Sequence, residues 1–362
     1  MKTEPLSDNR PPRIVLFNMT LSGGAGNYIV TLANALAKEG AQTHIVIYKD
    51  AVDYPIPEGV RFHRLVPENR GDLKRQLQNL LKSLQPVDLI LSNSTPSNKI
   101  LSALHLPNAM HVVHSAETKT YRGLFAPLKA WWRRRTYRKL YSKKHLVTVS
   151  KGLETYIVDT LGARPLSIRT LYNPFDFEMI RRQAEMPDPE IPDEPYIIHV
   201  GRLDMRSKRH DILLEAFKRA DIPHKLVIVG EGKDREKIEK IIHSLKLEER
   251  VIMTGFKANP YSWIRHADLL VLSSDFEGFP RTLVEAAIIG TPIVSTDCPT
   301  GPNELLRDEL SAYLTPVGNS KALAETIERA FYHYPTFKKA ELSRFGQHQI
   351  VSHILSFAKD LS

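Results

Sequence analysis

Cysteine is almost missing. Cys298 stands alone among 362 residues, so no intrachain disulfide and no cysteine-based metal cluster can form, which fits a reducing cytoplasm. No apolar run approaches the ~18 residues that a membrane-spanning helix needs. No low-complexity tract interrupts a composition of 42% hydrophobic and 25% charged residues, which is that of a globular protein. The dinucleotide fingerprint G-x-G-x-x-G is also lacking, which disfavours an NAD-dependent oxidoreductase. The opening MKTEPLSDNRPP is polar and proline-rich and reads as a loose tail rather than a signal peptide or anchor. What is abundant is positive charge, unevenly placed. Residues 1–172 carry 25 Lys and Arg against 12 Asp and Glu, whereas residues 173–362 carry 25 against 29. A basic half of that kind suits an anionic partner.

A chain of this length exceeds one ordinary core, so two domains are expected. Short β-branched runs alternate with amphipathic segments. RIVLF (13–17), THIVIY (43–48), DLILS (88–92), MHVVH (110–114) and HLVTVS (145–150) read as buried parallel strands. Residues 24–39 and 70–84 place Ile29, Leu32 and Leu36, and Leu73, Leu77 and Leu81, on single helix faces. The pattern breaks at YNPFD (172–176) and the acidic PDPEIPDEP (187–195), then restarts with YIIHV (196–200), KLVIVG (225–230), RVIMTG (250–255), ADLLVLSS (267–274) and TPIVSTD (291–297). The reading is an α/β chain of two Rossmann-like domains: residues 1–172, a linker at 173–195, and residues 196–340. A final helical segment, 341–362, can cross back to the first domain. Two parallel sheets facing across a cleft would bind ligands at their strand carboxyl ends.

Several loops there carry chemistry. After the first strand, Gly23, Gly24 and Gly26 open a helix whose free amides suit an anion, although glycine-rich turns before helices are common. HVGRLDMRSKRH places Arg202 just past a strand and Lys208 six residues later. They can reach a phosphate, or belong to a solvated basic loop with Arg206 and Arg209. VGEG sets Gly230 and Gly232 after another strand, as either a nucleotide seat or a tight turn.

SSDFEGFPRTLVEAAIIGTP is the most specific stretch. Glu277 lies in the loop past a buried strand, Gly278 permits an unusual turn, and Pro280 suits the first helical position. Glu285 follows about one turn into a helix over 281–289 that is nearly apolar all round, so its carboxylate is expected to be semi-buried and in need of partners. The amides of Thr282 and Leu283 lie between the two glutamates. A phosphate on those amides, with a polyhydroxyl group on each side held by one carboxylate, has the shape of a nucleotide sugar. A carboxylate gripping vicinal hydroxyls needs no catalytic partner.

GRL…K, LLEAF, VGEG, TGF, EGFPRTLVEA and GTPIVSTDCPTGPNEL together resemble, in order and spacing, the donor half of retaining glycosyltransferase family 4, of GT-B architecture. The match covers nearly all of residues 196–317. The first half is similar more weakly, through the glycine-rich loop, His114 and VTVSKGL…YNPFD. STDCPTGPNEL is similar to members that build bacterial lipopolysaccharide, capsule or lipid-linked glycans. The resemblance implies transfer of a hexose-type sugar from a nucleoside-diphosphate sugar, UDP-sugar favoured, with retained configuration and no cofactor. Glu277 would bond the donor sugar, Glu285 the ribose, and Arg202 and Lys208 the diphosphate. Gly23, Gly24, Gly230, Glu231, Gly255, Phe256, Gly278, Phe279, Thr282 and Leu283 would line the donor site. His114 would lie near sugar and acceptor; without the family it and His111 compete between core and site. No D-x-D triplet occurs, so a metal-bridged diphosphate is not indicated. The chain departs from the family where GGAGNY replaces a Gly-Gly followed by Glu-Arg, where Arg209 follows Lys208 in place of the usual glycine, and where DELSAYL lacks a glycine.

LKAWWRRRTYRKLYSKKH (128–145) interleaves Arg133, Arg134, Arg135, Arg138 and Lys139 with Trp131, Trp132, Tyr137 and Tyr141, and no acid occurs between Glu117 and Glu154. A basic helix with interfacial aromatics suits an anionic membrane surface or glycolipid; no nucleic-acid module is recognisable. The expected location is therefore cytoplasmic, peripheral on the inner face of the cytoplasmic membrane. The rival readings are a GT-B nucleotide-sugar epimerase and a binding protein with an inactive donor site.

Overall fold

The apolar runs become strands buried on both faces. The computed structural model describes residues 10–115 and 126–361, without the side chains of 339 and 340. Of the tail read over residues 1–12, residues 1–9 lie outside the described residues, as does Glu117, whereas Arg10 is not loose, since its guanidinium bonds the buried Asp88 at 2.6 and 2.8 Å. The chain divides into two compact units, Met1–Phe175 with Arg344–Ser362, and Asp176–Ser343.

The first unit holds a seven-stranded sheet: β1 (Arg13–Asn18), β2 (Gln42–Ile47), β3 (Arg61–Arg64), β4 (Leu89–Ser92), β5 (Ala109–Val113), β6 (His145–Thr148) and β7 (Ser167–Thr170). Their order is β3-β2-β1-β4-β5-β6-β7, with every pairing parallel. The edge strands β3 and β7 have no apolar run in the sequence. RFHR and SIRT are polar and partly exposed, as suits an edge that must not recruit further strands. Helix Arg70–Ser83 lays Leu73, Leu77 and Leu81 against Val15, Phe17, Val46 and Ile90. Each such burial is worth about 1.5–3 kcal/mol. Asn69 caps that helix by accepting from the amides of Gly71 and Asp72 at 2.9 and 3.0 Å. Helix Gln347–Asp360 packs on helix Gly23–Lys38, and Phe175 pairs with Gly346 in a parallel bridge. The chain end therefore belongs to the first unit.

The second unit holds β8 (Tyr196–Val200), β9 (Lys225–Val229), β10 (Val251–Gly255), β11 (Leu269–Leu272), β12 (Ile293–Thr296) and β13 (Leu314–Thr315), in the order β10-β9-β8-β11-β12-β13, all parallel. The stretch expected to be a linker is instead built into this unit. Residues 177–184 form a helix, and the acids after it find fixed partners. Trp263 Nε1 donates to Asp188 at 2.8 Å, Lys257 pairs with Glu190 at 2.7 Å and Lys225 with Glu194 at 2.7 Å.

Strand order reverses between β1 and β4 in the first sheet and between β8 and β11 in the second. At such switch points the loops diverge and leave room for a ligand beyond the strand carboxyl ends.

Candidate functional site

In the second unit the switch point brings together residues far apart in sequence. Lys208 follows β8 and Glu277 follows β11, and Lys208 Nζ lies 2.6 Å from Glu277 Oε1. Both side chains are mostly covered, 16% and 13% exposed. Ser274 Oγ donates to the same oxygen at 2.6 Å, and Thr300 Oγ1 donates to the Glu277 carbonyl. Among the described residues nothing donates to Glu277 Oε2, so one carboxylate oxygen is anchored and the other is open. Below the pair, His199 and His210 are fully buried, and burial lowers both imidazoles, His210 to about 4. They stay neutral and leave Lys208 as the local cation.

Arg209 holds this geometry. Its φ of +50° is a left-handed conformation that favours glycine. The sharp turn it makes separates helices Met205–Lys208 and His210–Arg219. Its guanidinium offsets the strain by bonding Asp211 at 2.9 Å and Asp275 at 2.8 Å. Asp275 is two residues from Glu277, so Arg209 ties the two loops whose side chains meet. Arg202 is exposed on the loop after β8 and makes no ion pair among the described residues.

Helix Arg281–Ile289 carries the second carboxylate. Glu285 is 6% exposed, fully buried rather than semi-buried, and burial raises its pKa against the pull of Arg281, 3.6 Å away. Pro280 is the residue before the helix, not its first. No side chain caps this tip. The Leu283 amide donates to the Pro280 carbonyl at 3.2 Å and its side chain is core, so of the two amides expected between the glutamates only that of Thr282 remains for a ligand. Phe279 is likewise buried, Gly278 is partly exposed, and Phe256 projects at 71% exposure past Gly255.

The glycines divide by cause. A Cβ at Gly230 would lie 1.9 Å from the Gly201 carbonyl oxygen, and one at Gly232 would lie 2.4 Å from that of Leu203, so packing of the neighbouring loop requires both. One at Gly255 would meet the Glu231 carboxylate at 2.9 Å; that carboxylate is exposed and pairs with Arg235 at 3.1 Å.

The first unit shows the same split. Gly26 is pressed on the Leu21 backbone and serves packing. Gly23 has φ +58°, and its amide donates to Asp53 at 3.1 Å, so a carboxylate already occupies part of the expected anion seat. Gly24 is exposed with open space around it. His114 follows β5; its Nε2 bonds the Asn93 side chain at 2.6 Å and its ring packs edge-on to Tyr28. Asn93 follows β4, so His114 is held at the switch point. His111 is core. It is 2% exposed, bonded to Ser92 at 3.0 Å, and lowered to about 3 by burial. Arg209, Thr300, Asp53 and Asn93 carry no sequence signal for these roles, which arise only from chain segments meeting, whereas Ser274 and Arg281 are local partners, three and four residues from Glu277 and Glu285, whose spacing could have been read.

Helix Ala126–Tyr141 is anchored by Tyr137 and Tyr141, packed with Val113, Leu146 and Ile157. Leu128, Trp131 and Trp132 are 52–57% exposed, and Arg134, Arg135, Arg138 and Lys139 are exposed too. Arg133 is partly covered, over the Tyr137 ring at 5.0 Å. Among the described residues no helix is long and apolar enough to cross a membrane.

Two Rossmann-like units, with acid and base converging at a strand switch point, define the GT-B class. The Glycosyl transferases group 1 family model matches residues 181–341, and the Glycosyltransferase Family 4 model matches residues 22–179. The chain belongs to this glycosyltransferase family. It is 28% identical over 320 residues to N-acetylgalactosamine-N,N'-diacetylbacillosaminyl-diphospho-undecaprenol 4-alpha-N-acetylgalactosaminyltransferase of Campylobacter jejuni, covering 85% of this chain and 86% of that one. It is 26% identical over 219 residues to the lipopolysaccharide 1,6-galactosyltransferase of Escherichia coli K12, covering 57% and 58%. In fold it is similar to Anabaena HepE in complex with UDP and glucose, with a TM-score of 0.70, 18% identity and 96% and 98% coverage.

Proposed function

We propose that this glycosyltransferase moves a hexose-type sugar from a nucleoside-diphosphate sugar, UDP-sugar favoured, to a lipid-linked or lipopolysaccharide-type acceptor, with retained configuration and without metal or cofactor. The observation that carries this reading is the Lys208–Glu277 pair, with one carboxylate oxygen left open. That oxygen can accept from a sugar hydroxyl while Lys208, beside it, meets the diphosphate. Arg202 adds a second, exposed cation, and the uncapped tip at Thr282 adds partial positive charge. Glu285, set back along the helix, would take the ribose hydroxyls, and the exposed ring of Phe256 offers a face to the base. In the reaction the bond from the anomeric carbon to the diphosphate oxygen breaks. The acceptor oxygen bonds that carbon from the same face, and its proton passes to the departing phosphate. Lys208, Arg202 and the helix tip stabilise the charge that develops there. His114 would orient the acceptor side.

The names of the relatives support the acceptor class: the Campylobacter protein is named for a diphospho-undecaprenol substrate and the Escherichia coli one for lipopolysaccharide. The exposed Trp131, Trp132 and cations of helix Ala126–Tyr141 would hold the enzyme at the inner face of the cytoplasmic membrane, where such acceptors lie. The test is a panel of nucleotide sugars screened for thermal stabilisation, then product mass on a truncated lipid-linked acceptor with and without EDTA. A saturating donor at ~100-fold its Kd adds about 2.7 kcal/mol. No stabilisation by any nucleotide sugar, or transfer abolished by EDTA, rejects the reading.

A further inference from the structure

The loops after β2, β3 and β4 enclose a groove of about 510 Å³ on the carboxyl edge of the first sheet. All the pairings of that sheet are parallel, so this is the edge that also carries Gly24 and His114. Three cations line it: Lys49 just past β2, Arg70 at the start of helix Arg70–Ser83, and Lys99 in the helix Thr95–Ser102. No acid lines it. None of the three makes an ion pair among the described residues, although acids stand close in sequence. Asp50 and Asp72 are engaged elsewhere, Asp50 with Arg64 at 2.8 Å and Asp72 with Arg75 at 2.7 Å and with the Glu68 amide and Gln76, and Glu68 does not line the groove. Three unneutralised cations converging on one concavity repel each other, which costs stability unless an anion completes the site.

The remaining wall fixes the kind of anion. Leu73 and Ile100 are apolar and buried, and Tyr48, packed on Phe17 at 5.5 Å, presents a ring to the groove. Lys99 Nζ also lies 5.8 Å over the Tyr137 ring, the ring that Arg133 covers from helix Ala126–Tyr141. Lys99 thus links the groove wall to that helix through a shared ring, within one unit.

We infer that this groove is a phosphate-recognition site for the acceptor, in which Lys49, Arg70 and Lys99 grip a phosphate or diphosphate ester beside an apolar wall. The inference rests on the proposed transferase reading for its name as an acceptor site, and its chemistry is independent of the donor site. The phosphate can come from a lipid-linked diphosphate or from a free sugar phosphate, and the two are separable by experiment.

The full chain is first titrated with UDP, which reports on the donor site alone. With UDP saturating, inorganic pyrophosphate, farnesyl diphosphate and farnesol are then titrated into wild type and into the variant K49Q/R70Q/K99Q. The single variants K49Q and K82Q each remove one lysine charge, Lys82 being exposed and outside the groove. The expected result is pyrophosphate binding that weakens with salt. The triple variant should lose it at least about tenfold and K49Q about threefold, as charge-assisted contacts of partly exposed groups predict, with K82Q unchanged. Farnesyl diphosphate tighter than pyrophosphate assigns a lipid-linked source, and equal affinities assign a free phosphate. Farnesol binding as tightly as its diphosphate, or the triple variant binding pyrophosphate like wild type while still binding UDP, overturns the inference. Absence of UDP binding in the wild type would instead strike the transferase reading. Far-UV circular dichroism and a melting transition equal to wild type verify that the first unit of the triple variant is folded, and an equal UDP affinity verifies the second.

Discussion

The pair that joins the two loops of the second unit can be tested by a double-mutant cycle of K208M, E277Q and K208M/E277Q. Glu277 Oε1 receives two short hydrogen bonds, one charged from Lys208 and one neutral from Ser274, each at 2.6 Å. Gln at 277 keeps one acceptor oxygen for Ser274, removes the charge and replaces the open oxygen with an NH2 donor. Both partners are less than a fifth exposed, so screening is incomplete, and a charge-assisted bond of this kind is worth about 1.5–3 kcal/mol. Desolvation cancels part of it, leaving an expected coupling of about 1–2 kcal/mol. For a unit of this size that is a shift of about 2–8 °C in the melting transition of the second unit for either single variant, with the second substitution costing little more. Urea denaturation followed by tryptophan emission measures the cycle, Trp263 being a fully buried reporter in the same unit. The same four proteins are assayed for kcat/KM. If the charge of Glu277 also grips the donor, E277Q loses about ten- to a hundredfold. A coupling below about 0.5 kcal/mol with unchanged kcat/KM would mean that the two side chains do not share a site, and the functional reading would go with it.

Glu285 gives a prediction with a sign. Burial raises its folded pKa above the ordinary value, so the contribution it makes to stability is complete below the ordinary glutamate range and is lost as pH rises through the folded value. E285Q should therefore melt at or above wild type at neutral pH, with the difference shrinking as pH falls toward the ordinary glutamate range, while UDP affinity falls about tenfold or more. A variant that is less stable at neutral pH contradicts the burial argument, and one with unaltered UDP binding contradicts the ribose role. Reversal of Arg133, Arg134 and Arg135 to Glu should release the protein from anionic liposomes, since each basic residue near such a surface is worth about 1 kcal/mol; co-sedimentation unchanged from wild type rejects the membrane role.

The alternation of β-branched runs with amphipathic helices was enough to read two parallel α/β sheets, because a strand buried on both faces must be apolar throughout. Helix 281–289 was legible in the sequence apart from the place of Pro280, which precedes the helix, since a largely apolar run follows from Leu283 and ends at Gly290, whose φ of +101° few other residues adopt. The edge strands β3, β7 and β13 were not legible, because they are short and partly polar and are held by a single neighbour. The acidic proline-rich stretch after Phe175 has the composition of a linker, yet composition says nothing about where Trp263 Nε1 or Lys257 will stand, and those partners fix it to the second unit.

Residue identity alone thus determined which side chains bear charge and on which loops they sit, because local pattern fixes strand and helix and with them the loop at each strand end. Only the tertiary structure decided which of them meet. It paired Lys208 with Glu277, committed Gly230 and Gly26 to packing, turned His111 inward and His114 toward Asn93, and left Lys49, Arg70 and Lys99 unneutralised around one groove. The reason is that strand order in a parallel sheet is set by long-range pairing, and it is this order that brings distant loops to a common edge.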